Sequence, residues 1–272
     1  MYEEYFSFVE KPFKVTPDTH FLFRSTQHEG AIKMLDYGIR ERKGFLLLTG
    51  EVGTGKTTSL RALLNNLQKE VRSSLIINPL LSTVELLTTI NKDFGCETSG
   101  DTVKDQLDVL NNFLFENDRQ SQNAIVIIDE AQNLSMEALE MTRLLSNFET
   151  ESHKLLQIIL VGQPELMEKL SHPSLRQLTQ RIQIYCQLKP LNPPETEQYI
   201  QYRIQKASNN PTIAFEKGAL REIHKLSGGI PRMINTVCEL ALMAAYVKET
   251  RVITRSIIQQ AAKEAPSYVY HS

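Results

Sequence analysis

The feature that most constrains the fold of this chain is a glycine-rich octapeptide of the pattern G-x-x-x-x-G-K-[ST], which reads Gly50-Glu51-Val52-Gly53-Thr54-Gly55-Lys56-Thr57. A short apolar run at 44–48 precedes it, and leucines at helical spacing follow it within 58–70. Glycines let successive backbone N–H groups face one anion, and the start of a helix adds the positive end of its dipole. The pattern therefore predicts a buried strand, a phosphate-binding loop and a helix, in that order.

The residues of this loop have predicted roles in binding a nucleotide. Lys56 would place its charge on the β- and γ-phosphates, and the Thr57 hydroxyl would coordinate Mg²⁺. The alternative is a glycine-rich turn with an incidental lysine. The predicted nucleotide-binding residues of the loop are Gly50, Glu51, Val52, Gly53, Thr54, Gly55, Lys56, Thr57 and Thr58.

Composition limits the class of protein. The 272 residues suffice for one large domain or two smaller ones, and a net charge of −2 gives no strong field that attracts nucleic acid. A basic patch would still permit DNA binding. The cysteines at 96, 186 and 238 lie far apart, which argues against a disulfide framework or structural zinc. Because the sequence lacks an apolar run of about 20 residues and a signal peptide, we expect a cytoplasmic protein with no direct membrane insertion.

Short apolar runs alternate with amphipathic segments along most of the chain. After the run at 44–48, further strands are predicted at 74–77, 124–128, 156–161 and 182–188. Capping boxes, Thr26-x-x-Glu29 and Ser82-x-x-Glu85, open two of the intervening helices. The alternation predicts an α/β fold with a doubly wound parallel sheet of five strands, covered by helices on both faces. Ligands of such sheets lie at the carboxyl ends of the strands.

Three prolines between 190 and 194 mark a change in character. Beyond them only helical patterns are predicted, at 194–207, 216–226, 231–247 and 254–264. We therefore predict an N-terminal arm at 1–25, a phosphate-loop core at 26–190, a small all-helical lid domain at 191–265 and a tail at 266–272. The arm is rich in aromatic residues and prolines, Pro17 among them. It would either cover the edges of the core or line the adenine pocket.

Two adjacent carboxylates follow the most apolar of the predicted strands. Ile125–Ile128 leads directly into Asp129 and Glu130. An apolar strand ending in acids downstream of a phosphate loop is what a Mg²⁺-nucleotide site requires. Asp129 would hold Mg²⁺, mostly through water, and Glu130 would orient the attacking water. The alternative is a solvent-facing strand end with ordinary acids.

Polar residues after two other strands are further candidates. Asn78 follows the second strand and could lie beside Glu130, holding it away from water until a partner binds; the alternative is an Asn-Pro turn. Gln163 follows the fourth strand, and its amide could bond the γ-phosphate or the attacking water. The alternative for Gln163 is a polar loop residue before a proline.

Three arginines complete the set of candidate catalytic residues. Arg176 and Arg181 lie just before the fifth strand, where an arginine could reach the γ-phosphate of a neighbouring subunit, and we prefer Arg181. Because we expect Arg181 to have no target within its own subunit, we predict that the active form is an oligomer. Arg232 follows Gly228-Gly229-Ile230-Pro231 and opens a helix, from which it could reach the nucleotide of its own subunit. The alternatives are surface ion pairs for the first two and a capping role for Arg232.

Together these motifs resemble those of the AAA+ ATPases, and more narrowly those of the ExeA/GspA-type secretion ATPases. The resemblance covers nearly the whole chain, although Gln163 stands where other AAA+ proteins commonly carry Asn. Proteins of this type usually continue into a transmembrane helix and a peptidoglycan-binding domain. This sequence stops after the predicted lid, so we expect a short form without either. The residues that carry the resemblance are Glu10-Lys11-Pro12-Phe13, Thr16-Pro17-Asp18, His28, Ala31, Tyr37-Gly38-Ile39, 44–58, Ile128-Asp129-Glu130-Ala131-Gln132, Val161-Gly162-Gln163-Pro164-Glu165-Leu166 and Gly229-Ile230-Pro231-Arg232-Met233-Ile234-Asn235.

The resemblance implies an enzyme that binds and hydrolyses ATP with Mg²⁺ and acts as a homo-oligomer, either a ring or a filament. Its partner would be a secretion-system protein. Short proteins of this kind are also similar to transposition regulators of the TnsC/TniB type, which implies DNA and a transposase as alternative partners. A third hypothesis is a nucleotide-binding scaffold that hydrolyses poorly, against which the presence of Lys56, Asp129 and Glu130 argues.

Overall fold

The computed structural model of the chain describes residues 1–16, 18–67, 71–97, 100–208 and 210–264. Pro17 of the predicted arm, the last residues of the helix predicted at 58–70, and the predicted tail at 266–272 lie outside the described residues.

The elements alternate as the sequence predicts. The chain begins with α1 (Tyr2–Tyr5), α2 (Thr26–Arg40), β1 (Phe45–Gly50), α3 (Lys56–Leu67), β2 (Val71–Ile76), α4 (Thr83–Asp93), α5 (Val103–Arg119), β3 (Asn123–Ile128), α6 (Met136–Leu145), β4 (Leu156–Gly162), α7 (Glu165–Leu170), α8 (Arg176–Thr179) and β5 (Ile182–Leu188). It continues with α9 (Pro193–Ala207), β6 (Ala214–Phe215), α10 (Lys217–Ser227), α11 (Pro231–Val247), β7 (Val252–Ile253) and α12 (Arg255–Glu264).

These elements form two compact units. One, the sheet unit, combines His28–Gly50 with the described part of Ser59–Leu188. The other, the helical unit, combines the described parts of Met1–Gln27, Glu51–Thr58 and Lys189–Ser272. The helical unit thus includes the predicted arm, most of the phosphate loop and the predicted lid. The domain boundaries predicted at 25, 190 and 265 stay predictions.

The sheet unit contains a parallel sheet of five described strands in the order β2-β3-β4-β1-β5. The predicted fold class is confirmed. Every residue of β1 and of β4 is buried, which explains why both strands are mostly apolar, with Thr49 and Gln157 as buried polar exceptions. Edge strand β5 instead alternates buried and exposed residues. Edge strand β2 begins three residues earlier than predicted, because the exposed Arg72 and Ser73 interrupt its apolar pattern.

Local side-chain signals set where several helices begin. Ser82 caps α4 and Thr102 caps α5, each with a complete capping box. The predicted box at Thr26 differs, because Thr26 is already the first residue of α2. The apolar faces of α4, α5 and α6 join the strands in one core, which includes Leu86, Leu110, Val126, Leu139 and Ile158.

The helical unit buries the aromatic side chains of the arm. Tyr2, Phe6, Phe8, Phe13 and Phe21 share one core with residues of α9, α10, α11 and α12. The arm therefore contributes to a hydrophobic core, as one of the two alternatives for it proposed. The other alternative, a role in the adenine pocket, stays a prediction.

A buried arginine holds the arm through its backbone. Arg203 of α9 is 6% exposed, and its guanidinium donates to the Pro12 carbonyl at 2.6 Å and to the Tyr199 hydroxyl at 2.7 Å. The same guanidinium lies 4.8 Å from the centre of the Phe21 ring. Charge-assisted hydrogen bonds of this kind are strong where water is excluded, so Arg203 fixes the path of the arm.

The predicted all-helical lid needs one addition. Ala214–Phe215 pairs in parallel with Val252–Ile253, so the region carries a short two-stranded sheet besides its helices. Two residues per strand are too few to give a period in the sequence. In the described ranges we find no helix that is both long enough and apolar enough to cross a bilayer.

Candidate functional site

The phosphate loop folds around one of its own carbonyl groups. The Glu51 carbonyl accepts from the Thr54 N–H at 3.3 Å, the Thr54 hydroxyl at 2.8 Å and Lys56 Nζ at 3.1 Å. Lys56 is only 6% exposed and is the first residue of α3. Gly53 and Gly55 have positive φ angles of 82° and 98°, a conformation that glycine adopts without strain. The loop is therefore internally bonded, with its cation held against its own backbone.

Within the helical unit, the loop contacts the start of α11. The Arg232 N–H donates to the Gly53 carbonyl at 3.2 Å. A Cβ on Gly53 would come within 2.5 Å of the Arg232 Cβ and 3.2 Å of Ile230 Cγ2, so only glycine permits this approach. The structure thus places the backbone of Arg232 against the phosphate loop, and the predicted reach of its side chain to the nucleotide stays a prediction. Its side chain is exposed.

The turn before α11 is held by a second close approach. A Cβ on Gly229 would lie 2.0 Å from the Leu191 carbonyl oxygen, and the Leu191 N–H donates to the Gly229 carbonyl at 2.9 Å. Gly229 also has a positive φ angle of 78°. The glycine pair before Pro231 therefore sets where α11 begins, and with it the position of Arg232 in the first turn of that helix.

In the sheet unit, Asp129 follows β3 and is almost completely buried. Its N–H donates to the Ile76 carbonyl at 2.8 Å, which continues the pairing of β2 with β3 by one residue. The carboxylate is 2% exposed, and Oδ1 accepts the Glu130 N–H at 2.9 Å. A carboxylate and a threonine hydroxyl are oxygen ligands that suit Mg²⁺. No group of three acidic, histidine or cysteine side chains with metal-binding geometry occurs among the described residues. The role of Asp129 in holding Mg²⁺ stays a prediction.

Glu130 leaves the strand in a left-handed conformation. Its φ angle is 51°, which is uncommon for a residue with a Cβ and frequent at functional sites. Its carboxylate Oε2 accepts from Gln132 Nε2 at 2.6 Å and from Gln163 Nε2 at 3.1 Å. The structure therefore brings together two of the predicted catalytic residues, Glu130 and Gln163.

Sequence reasoning gave Gln132 no role, although Gln132 belongs to the motif Asp129-Glu130-Ala131-Gln132. Its amide reaches Glu130 on one side, and its Oε1 accepts the Gln163 N–H at 3.1 Å on the other. The only sequence signal was a second amide close to the strand end. Its partner is 31 residues away along the chain.

Asn78 lies two residues beyond the end of β2 and is exposed. The structure thus gives Glu130 two amide donors, Gln132 after β3 and Gln163 after β4. The sequence had suggested Asn78 as the residue beside Glu130. The proposed role of Asn78 stays a prediction.

The two arginines before β5 have different surroundings. Arg181 donates to the Ser146 hydroxyl and to Asn147 Oδ1, each at 2.6 Å, just beyond the end of α6. The expectation that Arg181 has no target in its own chain was therefore wrong. Arg176, the first residue of α8, is exposed and makes no side-chain hydrogen bond to another described residue.

Comparisons with known proteins agree with this geometry. A family model described as "AAA domain" matches residues 39–170. Cdc6p from Pyrobaculum aerophilum is similar in structure, with a TM-score of 0.72 at 17% identity over 94% of this chain and 71% of that one. The ORC1 protein of Aeropyrum pernix, solved in complex with DNA, gives 0.70 at 16% identity over 94% and 69%. The Holliday junction branch migration motor RuvB of Thermotoga maritima gives 0.56 at 20% identity over 86% and 68%.

The sheet order, the phosphate loop and these similarities define the class: the chain has the fold of AAA P-loop proteins. The chain is also similar to general secretion pathway protein A from Aeromonas hydrophila, to which it is 42% identical over 265 residues. The predicted resemblance to ExeA/GspA-type proteins is thereby confirmed. The match covers 97% of this chain and 48% of the relative, so the chain spans about half the length of that protein.

Proposed function

We propose that this protein binds ATP with Mg²⁺ and hydrolyses it to ADP and phosphate. The observation that supports hydrolysis, beyond binding, is the pair of acids after β3. Asp129 is buried, while Glu130 turns away in a left-handed conformation and is hydrogen-bonded by Gln163. Two adjacent carboxylates with separate surroundings can serve a metal and a water, respectively.

The residues divide the proposed reaction between them. Backbone N–H groups of the loop and Lys56 would bind the phosphates. The Thr57 hydroxyl and Asp129 would hold Mg²⁺, which would neutralise charge on the phosphate oxygens. Glu130 orients a water molecule, whose oxygen bonds to the γ-phosphorus as the bond to the β–γ bridging oxygen breaks. The water's protons pass to phosphate and solvent. Gln163 and Arg232 contribute donors to the departing phosphate.

Substitutions at two positions separate nucleotide binding from hydrolysis. We expect Glu130→Gln to lower phosphate release at least 100-fold while ATP affinity stays within about threefold, because the carboxylate acts on water only. Lys56→Ala should lose ATP affinity, since its charge binds the ground state as well. Phosphate release and calorimetric ATP titration measure these effects, with Glu116→Gln on the exposed face of α5 as the control.

Unchanged turnover in Glu130→Gln would contradict the assignment of Glu130. ATP binding by the wild type with no phosphate release would instead support the nucleotide-dependent scaffold.

For the partner, we propose a component of a secretion system on the cytoplasmic side, with ATP driving oligomeric assembly and remodelling. The support is the 42% identity to general secretion pathway protein A, of which this chain covers 48%. The transposition alternative predicts tight, ATP-dependent DNA binding that weakens steeply with salt. An electrophoretic mobility shift assay with DNA at 50 and 200 mM salt tests this alternative, because absence of binding at low salt would exclude it.

A further inference from the structure

Gln132 makes a bridge between the ends of two neighbouring strands. Its Nε2 donates to Glu130 Oε2 at 2.6 Å, and its Oε1 accepts the backbone N–H of Gln163 at 3.1 Å. Gln163 Nε2 donates to the same Oε2 atom at 3.1 Å. Both ends of the Gln132 amide are therefore bonded, and one carboxylate oxygen of Glu130 receives two donors.

The surroundings of Gln132 leave its amide little freedom. A Cβ on Gly162 would lie 2.8 Å from Gln132 Oε1, so the absence of a side chain at 162 makes room for the amide. The turn Ala131–Asn133 that carries Gln132 is also tied, because Lys169 Nζ of α7 donates to the carbonyls of Gln132 and Leu134. Gln132 is thus seated by contacts from β4, from α7 and from its own turn.

The terminal torsion of a glutamate is broad, so nothing in the side chain itself fixes the plane of its carboxylate. Two donors on one oxygen do fix that plane, and with it the directions of the remaining lone pairs. An amide is suited to this task, since it supplies a neutral donor and can accept from a backbone group at the same time.

We propose that Gln132 is the positioning residue that orients the Glu130 carboxylate toward the attacking water. The inference rests on the proposed function, in which Glu130 acts on that water. Gln132 acts through Glu130 and needs no contact with the nucleotide, so it should affect the hydrolytic step and leave ATP affinity unchanged.

Two substitutions of similar length test the bridge. Gln132→Met fills the same space without either hydrogen bond, and we expect it to lower kcat roughly 10–100-fold, as misplacement of a catalytic group does. Gln132→Glu keeps an acceptor toward the Gln163 N–H but opposes one carboxylate to another, so it should lower kcat further than Met does. In both variants the dissociation constant for ATP should stay within about threefold of wild type.

The measurements are phosphate release under saturating ATP, calorimetric ATP titration and thermal melting. Glu130→Gln is measured in parallel, and Gln120→Met at the exposed end of α5 serves as the matched control. A kcat for Gln132→Met within twofold of wild type, while Glu130→Gln is inactive, would overturn the role of Gln132 and leave the proposed function intact.

The remaining outcomes are also decisive. Joint loss of ATP affinity and melting temperature in Gln132→Met would overturn positioning in favour of a purely structural role. Wild-type turnover in Glu130→Gln would overturn the proposed function and the role of Gln132 together.

Discussion

At the scale of single residues, two glycines with nearly the same backbone conformation have different surroundings. Gly53 in the phosphate loop has a φ angle of 82°, and Gly95 after α4 has one of 81°. A Cβ on Gly53 would collide with the Arg232 Cβ at 2.5 Å, whereas one on Gly95 would meet no atom within 4 Å. The pair therefore separates backbone strain from the contact between the loop and α11.

We expect Gly95→Ala to cost about 1 kcal/mol in stability, because alanine is strained at positive φ. Gly53→Ala should cost more, because the collision with Arg232 adds to the same strain. Gly53→Ala alone should also weaken ATP binding, at least tenfold, since the loop and the start of α11 must separate to admit the methyl group. Calorimetric ATP titration with thermal melting checks this prediction. Equal ATP affinity in the two variants would show that this contact has no influence on the nucleotide.

Sequence reasoning at this scale selected residues whose type and position after a strand suggest a chemical role, and those roles stay predictions. Gln163 was singled out because it follows a strand, and the structure places its amide 3.1 Å from Glu130. Gln132 was not, because its partners belong to two strands whose adjacency is a property of the sheet. The hydrogen bonds of Arg181 were not predicted for the same reason, since Ser146 and Asn147 approach it only through folding.

At the scale of elements, a charged cluster joins the end of α5 to the segments before β1 and β4. Asp118 Oδ1 accepts from Arg42 Nη1 at 2.7 Å and lies 2.8 Å from His153 Nε2. Burial alone would raise the pKa of Asp118, but its hydrogen bonds with Arg42 and His153 together outweigh burial and hold the pKa below its usual range. The folded state therefore favours the ionised carboxylate.

We expect Asp118→Asn to destabilise the fold by roughly 1–2 kcal/mol near neutral pH, as loss of a charge-assisted hydrogen bond does. A carboxylate with a depressed pKa stabilises the fold above its unfolded pKa of about 4 and loses that contribution as pH falls through the folded value. The difference in melting temperature should thus narrow as the pH falls below about 4. Asp108→Asn, exposed on the same helix, is the control; a difference that does not change with pH would refute the electrostatic origin.

The sequence predicted helices and strands correctly where apolar residues follow one another in a buried strand or where a capping box marks the start of a helix. The fully buried β1 and β4 were found nearly in full, and the capping box at Ser82 marked the start of α4. Short elements were missed, among them α7, α8 and the β6–β7 pair. Helices of four to six residues complete fewer than two turns, and strands of two residues cannot alternate, so neither gives a recognisable period in the sequence.

At the scale of the whole molecule, the arm shows what composition alone leaves undecided. Its aromatic residues predicted that it is docked, but two destinations were open. Its rings lie in the helical unit's core, and its backbone carbonyls at Pro12 and Lys14 accept from Arg203. Arg203 is 191 residues from Pro12 along the chain, and α9, which carries it, reads as an ordinary amphipathic helix. Only the folded chain pairs the two.

An arginine before β5 would act between two copies of the chain in the proposed oligomer. Arg181 is bonded within its own chain, whereas Arg176 is exposed and makes no side-chain hydrogen bond within the part of the chain that the structure describes. We therefore expect Arg176 to act on the nucleotide of a neighbouring copy. In other phosphate hydrolases, an arginine supplied by a second protein raises the rate roughly 10³–10⁵-fold. Arg176→Ala should lower turnover at least 100-fold at protein concentrations that support assembly, with ATP affinity unchanged. Arg181→Ala should chiefly lower the melting temperature.

A mixture of two inactive variants gives the sharper test, because each supplies what the other lacks. Arg176→Ala copies retain Glu130, and Glu130→Gln copies retain Arg176, so a mixed oligomer contains complete sites wherever a Glu130→Gln copy presents Arg176 to an Arg176→Ala copy. Phosphate release from the mixture should exceed the sum of the separate variants and peak near equal amounts. As a control, the double variant with both Arg176→Ala and Glu130→Gln, mixed with either single variant, should give no such gain because it lacks both groups. If Arg176→Ala keeps its assembly-stimulated turnover, or if mixing recovers nothing while both variants still assemble, the catalytic arginine of the neighbouring copy is not Arg176.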